Sequence, residues 1–102
     1  MWETVSAQMS IGVLTIHLHL PGCSSLKGKR SLIKPILARL PREFNVAVAE
    51  LALQDVWQDS VIGCVTISSD PTQNQRLLQQ VIEFTERNWP DLMLIDQQIE
   101  LI

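Results

Sequence analysis

An α+β fold, with one four-stranded antiparallel sheet carrying two helices on a single face, is predicted from three observations. Four segments have the alternating apolar character of strands. One segment repeats apolar residues at the i, i+3, i+4, i+7 spacing of a half-buried helix, and a second opens on the cap and proline of a helix start. These follow one another as βαββαβ within 102 residues, with no repeat, linker or biased tract between them. A chain of this length holds one domain, expected over residues 1–102 with 1–9 as a loosely ordered N-terminal extension, and has no room for separate catalytic and substrate domains.

In the first strand, Ser10 to Leu20, Leu14, Ile16, Leu18 and Leu20 share one face and read as core. Ile11, Val13, Thr15, His17 and His19 share the other. A Pro21-Gly22-Cys23-Ser24-Ser25 turn follows, in which Ser24 or Ser25 can cap a helix running to about Leu40. Ile33, Ile36, Leu37 and Leu40 form its buried stripe; Pro35 should kink it and Pro41 help to end it. The second strand, Phe44 to Leu51, turns Phe44, Val46 and Val48 inward, and Ala47 and Ala49 outward.

A loop from Ala52 to Asp59 carries Trp57, expected as an apolar plug beneath it, although Asp55 and Gln58 beside it keep an interaction-loop reading (Asp55, Trp57, Gln58) open. The third strand, Ser60 to Ser69, is expected to face the core with Val61, Val65 and Ile67, leaving Ile62, Cys64, Thr66 and Ser68 opposite. Gly63 then lies inward, where a helix can approach closely. Asp70 caps the second helix, with Pro71 at its first position and Gln73 completing a capping box; the helix runs to about Asn88, and Pro90 breaks it. Leu92 to Leu101 is the last strand. The order is that of the ferredoxin-like split β-α-β arrangement.

The face away from the helices, read as Ile11, Val13, Thr15, His17, Ile62, Cys64 and Thr66, is too apolar for full solvation, so a homodimer through this open sheet face is expected. No apolar run reaches the roughly 18 residues of a membrane span. Glu3 stands where an export signal would carry positive charge, so a cytoplasmic protein is expected. Cys23 and Cys64 have no metal-type spacing and are expected reduced.

Charge is strongly segregated. Lys27, Lys29, Arg30, Lys34, Arg39 and Arg42 lie in one stretch without an acidic residue, whereas the rest of the chain holds two basic and eleven acidic residues. An overall charge of -3 argues against a general nucleic-acid coat but leaves a local anion site open. At about 100° per residue, Lys27, Lys34 and Arg42 fall on a solvated flank, Arg30 at the border of the apolar stripe and Lys29 inside it. A lysine there requires a partner. Cations in the first turns also oppose the helix dipole, so a negative group is demanded nearby. Glu50, Asp55 or Asp59 could supply it internally. Alternatively, the turn at Ser24 and Ser25, with Lys27, Lys29, Arg30 and Lys34 around free amides, could cradle an external phosphate.

Other chemistry is weaker. No P-loop is present, because Lys27 stands where its second glycine belongs. His17, His19 and Cys64 make a conceivable metal set without a fourth ligand, so no metal or other cofactor is expected. Cys64 as a nucleophile lacks an oxyanion-hole pattern. Sheet-face RNA recognition needs stacking aromatics, and none falls on the expected open face.

The runs H-L-P-G-C-S-S-L-K-G-K-R-S-L-I-K (19–34), F-N-V-A-V-A-E (44–50) and D-V-W-Q (55–58) resemble the YlxP-like family of small bacterial proteins, a domain of unknown function. The resemblance implies a ferredoxin-like fold and, because members are often encoded beside translation and ribosome-maturation factors, a connection to RNA or the ribosome. It brings no activity. Gly28 departs from the Glu common in relatives, which implies a looser helix start. The expectation is a non-enzymatic protein contacting structured RNA or a ribosomal particle through the basic helix. A homo-oligomeric protein-interaction module is the alternative, and a small phosphate-ester or acyl phosphate hydrolase using the Gly22 turn comes third.

Overall fold

The computed structural model describes residue 2 and residues 8–102. Its elements are β1 (Ser10–His19), α1 (Leu26–Glu43), β2 (Ala47–Ala52), β3 (Asp59–Ser68), α2 (Pro71–Asn88) and β4 (Met93–Leu101). The strands form one antiparallel sheet in the order β2-β3-β1-β4. This is the α+β ferredoxin-like arrangement the pattern predicts. Most of residues 1–9, expected as a loose extension, lies outside the described residues.

The core forms between the helices and one face of the sheet. Leu14, Ile16, Leu18 and Leu20 are buried as expected, against Ile33, Ile36 and Leu40 of α1 and Leu78, Val81 and Ile82 of α2. Gly12 shares that face, and a Cβ there would meet Leu78 Cδ1 at 2.9 Å and Asn74 Cβ at 3.2 Å. Close helix approach is therefore at Gly12 in β1, and not at Gly63. Beside it, buried Asn74 donates to the Ser10 carbonyl (3.1 Å) and accepts from Ser68 Oγ (2.8 Å), fastening the start of α2 to both central strands.

The expected phase of β3 is reversed. Ile62, Cys64 and Thr66 are buried, whereas Val65 and Ile67 are 42% and 55% exposed. The cause is pairing: Cys64 lies opposite Leu14 and Ile62 opposite Ile16, and directly opposed residues in an antiparallel pair point to the same face. Val61, Val65 and Ile67 make the odd positions of β3 the more apolar set, so periodicity within the strand selects the parity that the pairing turns outward. The open face is accordingly built from Ile11, Val13, Thr15 and His17 with Val61, Gly63, Val65 and Ile67; Ile62, Cys64 and Thr66 belong to the core. Gly63 there makes room for Leu51, whose Cδ1 would lie 2.5 Å from an added Cβ.

Two boundaries also move. Pro41 lies inside α1, which continues to Glu43; Phe44 then closes it by donating its N–H to the Leu40 carbonyl at 3.0 Å. Phe44 and Val46 point toward the core as expected but precede β2, which starts at Ala47.

Candidate functional site

Ser25 is the cap of α1, its hydroxyl accepting from Gly28 N–H at 3.0 Å. One of the amides that could have met a phosphate is thus occupied by the chain's own serine, and exposed Ser24 stands beside it. Gly28, which cannot complete a capping box, still takes part in this cap. From this start the helix carries its basic residues in three directions.

Lys29 turns inward. Its side chain is only 3% exposed, and Nζ lies 3.1 Å from Glu50 Oε2 on β2. It also donates to the Leu53 carbonyl and, at 3.4 Å, to that of Gln54. Glu50 accepts in addition from the buried Ser60 hydroxyl. Of the internal and external anions the sequence left open, the internal one satisfies Lys29, and of three candidate carboxylates it is Glu50. Asp59 is instead shared by two histidines, with Oδ1 3.0 Å from His17 Nε2 and 3.3 Å from His19 Nδ1. The hydrogen bond from His17 holds its carboxyl below the ordinary value, with His19 adding to the effect.

Lys27, Arg30 and Lys34 turn outward. They are exposed and stand at i, i+3 and i+7, one face of α1, and among the described residues none forms an ion pair. Arg39 points a third way, its guanidinium 5.0 Å from the Phe84 ring centroid, 5.8 Å from that of Trp89 and 3.8 Å from Glu43. Phe84 in turn meets Phe44 and Trp89 edge to face. Arg39 is thus engaged within the fold, whereas Arg42 is exposed in the last turn, where a cation suits the helix dipole.

Between α1 and the segment after β2 lies a cleft of about 340 Å³. Leu53, which precedes Gln54 of its wall, is held at φ 63°, a left-handed conformation that non-glycine residues adopt at a cost of about 1 kcal/mol or more. The Lys29 ammonium fixes the carbonyls of that turn. A Leu at a left-handed position carries no sequence pattern; the signal of this device is the lysine misplaced on an apolar stripe.

The other expected site residues are dispersed. Trp57 is no plug: it is 51% exposed, with Asp55 and Gln58 also exposed beside it. The Gln58 carbonyl accepts from Leu20 N–H at 2.8 Å, tying the loop to the end of β1. Cys64 is buried on the core side, so His17, His19 and Cys64 do not converge, and burial pushes its thiol up to about 12. Cys23 and Cys64 are both free thiols. Among the described residues no helix is long and apolar enough to cross a membrane.

Fold and site together define a small ferredoxin-like domain with one basic helix and a sheet face that the described residues leave uncovered. The chain matches, over residues 11–99, the family described as "Protein of unknown function (DUF503)", and it belongs to that family. It is 38% identical over 68 residues to "Uncharacterized protein YlxP" of Bacillus subtilis (strain 168), covering 67% of this chain and 73% of the relative. The resemblance carried by residues 19–34, 44–50 and 55–58 agrees with both matches. Among solved structures, "De novo designed protein Foldit4" aligns with a TM-score of 0.53 at 17% identity, over 92% of this chain and 96% of the other, a likeness of fold alone.

Proposed function

We propose that the protein is a non-enzymatic RNA-binding domain that contacts structured RNA or a ribosomal particle through Lys27, Arg30 and Lys34. The observation that carries this reading is the stripe itself: three exposed cations on one helix face, without internal carboxylate partners among the described residues, in a chain that is otherwise acidic. A solvated surface needs no such segregation, whereas spaced phosphates do. Lys29, spent on Glu50, is not part of the contact, and neither is Arg39.

Co-sedimentation with ribosomal subunits, before and after ribonuclease treatment, tests it. The wild type should sediment with the particles and be released by the nuclease. Lys27→Glu/Arg30→Glu should abolish the association without unfolding the domain, because acidic residues in the first turns favour the helix dipole. Three phosphate contacts imply a log K against log salt slope of roughly -2 to -3. Sedimentation of the charge-reversed variant like the wild type would exclude the helix as the contact.

A second reading, compatible with the first, is self-association through the open sheet face. It is favoured by Val65, Ile67 and Leu51, large apolar side chains left exposed there. Sedimentation equilibrium should give a dimer that Val65→Lys converts to a monomer.

A further inference from the structure

The cleft beside the cation stripe has chemistry the stripe alone does not use. Ile33 and Leu37 give it an apolar lining; Arg30 and Lys34 border it from the helix, and Glu50 and Asp55 from the strand and loop. Its volume of about 340 Å³ lies at the small end of the range for sites that enclose a small molecule. The Lys29 bridge holds two of its sides together, so the cavity is pre-formed.

The two carboxylates decide what kind of group fits. Glu50 Oε2 is committed to Lys29 and Ser60. Oε1 has no hydrogen-bond partner among the described residues, and no buried side-chain oxygen is left unpartnered, so Oε1 is accessible where Glu50 lines the cleft. Asp55 is exposed. Both are acceptors only. A ligand must therefore offer N–H donors to this side, an apolar plane to Ile33 and Leu37, and a negative group to Arg30 and Lys34.

We infer that the cleft binds a single guanine nucleotide. Guanine presents N1–H and its 2-amino group side by side, a pair of donors matched to acceptors. Adenine and cytosine set a ring-nitrogen acceptor next to their amino group, and uracil flanks its one N–H with two carbonyls; each would turn an acceptor toward a carboxylate. The phosphate lies with Arg30 and Lys34. The inference deepens the RNA reading and rests on it for its source: an unpaired guanosine extruded from a structured RNA whose backbone lies along the stripe.

Calorimetric or NMR titration of the full chain with GMP, IMP, AMP and inorganic phosphate tests the cleft without RNA. GMP should bind about tenfold more tightly than AMP, IMP should fall between them, and Asp55→Asn should erase the preference. A hairpin with one bulged G should likewise bind about tenfold better than its fully paired counterpart. If GMP, AMP and phosphate bind alike, the cleft assignment is overturned, and the contact along the stripe stands or falls by co-sedimentation. If GMP is preferred but neither hairpin binds, the cleft is a site for the free nucleotide and the RNA reading fails. Guanine preference lost in Asp55→Asn in both arms supports the inference in full.

Discussion

The buried pair Lys29–Glu50 makes a quantitative demand on stability. Replacing Lys29 by Met strips Glu50 of its counter-ion and leaves the Leu53 and Gln54 carbonyls without their donor. Removing one member of a buried ion pair costs about 3–5 kcal/mol. Glu50 is 20% exposed and keeps the Ser60 hydroxyl, which places Lys29→Met near the bottom, at about 3 kcal/mol. Glu50→Leu is worse, about 4 kcal/mol, because it strands an ammonium that is only 3% exposed and orphans the Ser60 hydroxyl. Lys29→Met/Glu50→Leu strands no charge but still leaves the Leu53 and Gln54 carbonyls and the Ser60 hydroxyl without partners, which should cost about 4 kcal/mol and gives a coupling near 3 kcal/mol. Urea unfolding measures all four corners; 3 kcal/mol moves the midpoint by roughly 1–3 M. The proposed association of folded Lys29→Met with fully paired RNA, which engages only the stripe, should match the wild type. Additive single effects, or a Lys29→Met variant within about 0.5 kcal/mol of wild type, would refute the account of Lys29 as an internal strut.

Three further outcomes follow from the packing. Gly12→Ala should destabilise by about 1–3 kcal/mol in the same urea assay, because Leu78 Cδ1 and Asn74 Cβ already occupy the space and Leu78 is fully buried. Cys64, with its thiol raised to about 12 by burial, should resist iodoacetamide at pH 8 in the native protein and react fully in denaturant; native labelling would contradict its place in the core. Asp59 has a lowered pKa in the fold, chiefly from the His17 hydrogen bond, so its stabilisation is present above the unfolded carboxylate value of about 3.9 and lost as pH falls through the lower native one. The stability gap between wild type and Asp59→Asn should therefore shrink below about pH 4, as read by unfolding midpoints across the acid limb; a gap that widens there would reverse the sign.

Where one parity of a strand was clearly more polar than the other, or a helix carried its stripe with caps, the sequence was sufficient. β1 alternates apolar and mixed positions and its face was legible; so were Ser25, Asp70 and Pro71 as helix starts. β3 is the exception, because its more apolar parity, Val61, Val65 and Ile67, is the one that faces outward, and only the register against β1, a long-range relation, fixes its phase. Trp57 failed for a related reason: whether a loop folds over an aromatic depends on neighbours that local composition does not encode. Pro41 reads as a stop, yet a proline this close to a helix end forfeits one ladder hydrogen bond without preventing the last residues to Glu43 before Phe44 closes the helix. The candidate site was half legible. The helical phase isolated Lys29 and required a partner for it, but the choice of Glu50 over Asp55 or Asp59 depended on the strand pairing that brings β2 beneath α1.

That pairing explains why an ion pair occupies a place where two apolar residues could pack. Hydrophobic substitutes would bury comparable surface, and such exchanges are often neutral or stabilising. They would not hold carbonyls. The ladder between β2 and β3 shifts register between Glu50 and Ala52, and directly after it Leu53 takes a left-handed conformation that needs support from its surroundings. An ammonium reaching across from α1 can accept that task because it donates to Leu53, to Gln54 and to Glu50 at once. The same reach sets the width of the cleft between helix and loop, and leaves Arg30 and Lys34 on its rim with Glu50 Oε1 accessible. One residue drawn out of the basic run thus gives the remaining cations a defined cavity to stand beside, so a change at Lys29 that preserved folding should relax the proposed guanine preference while sparing the proposed phosphate contact of Lys27.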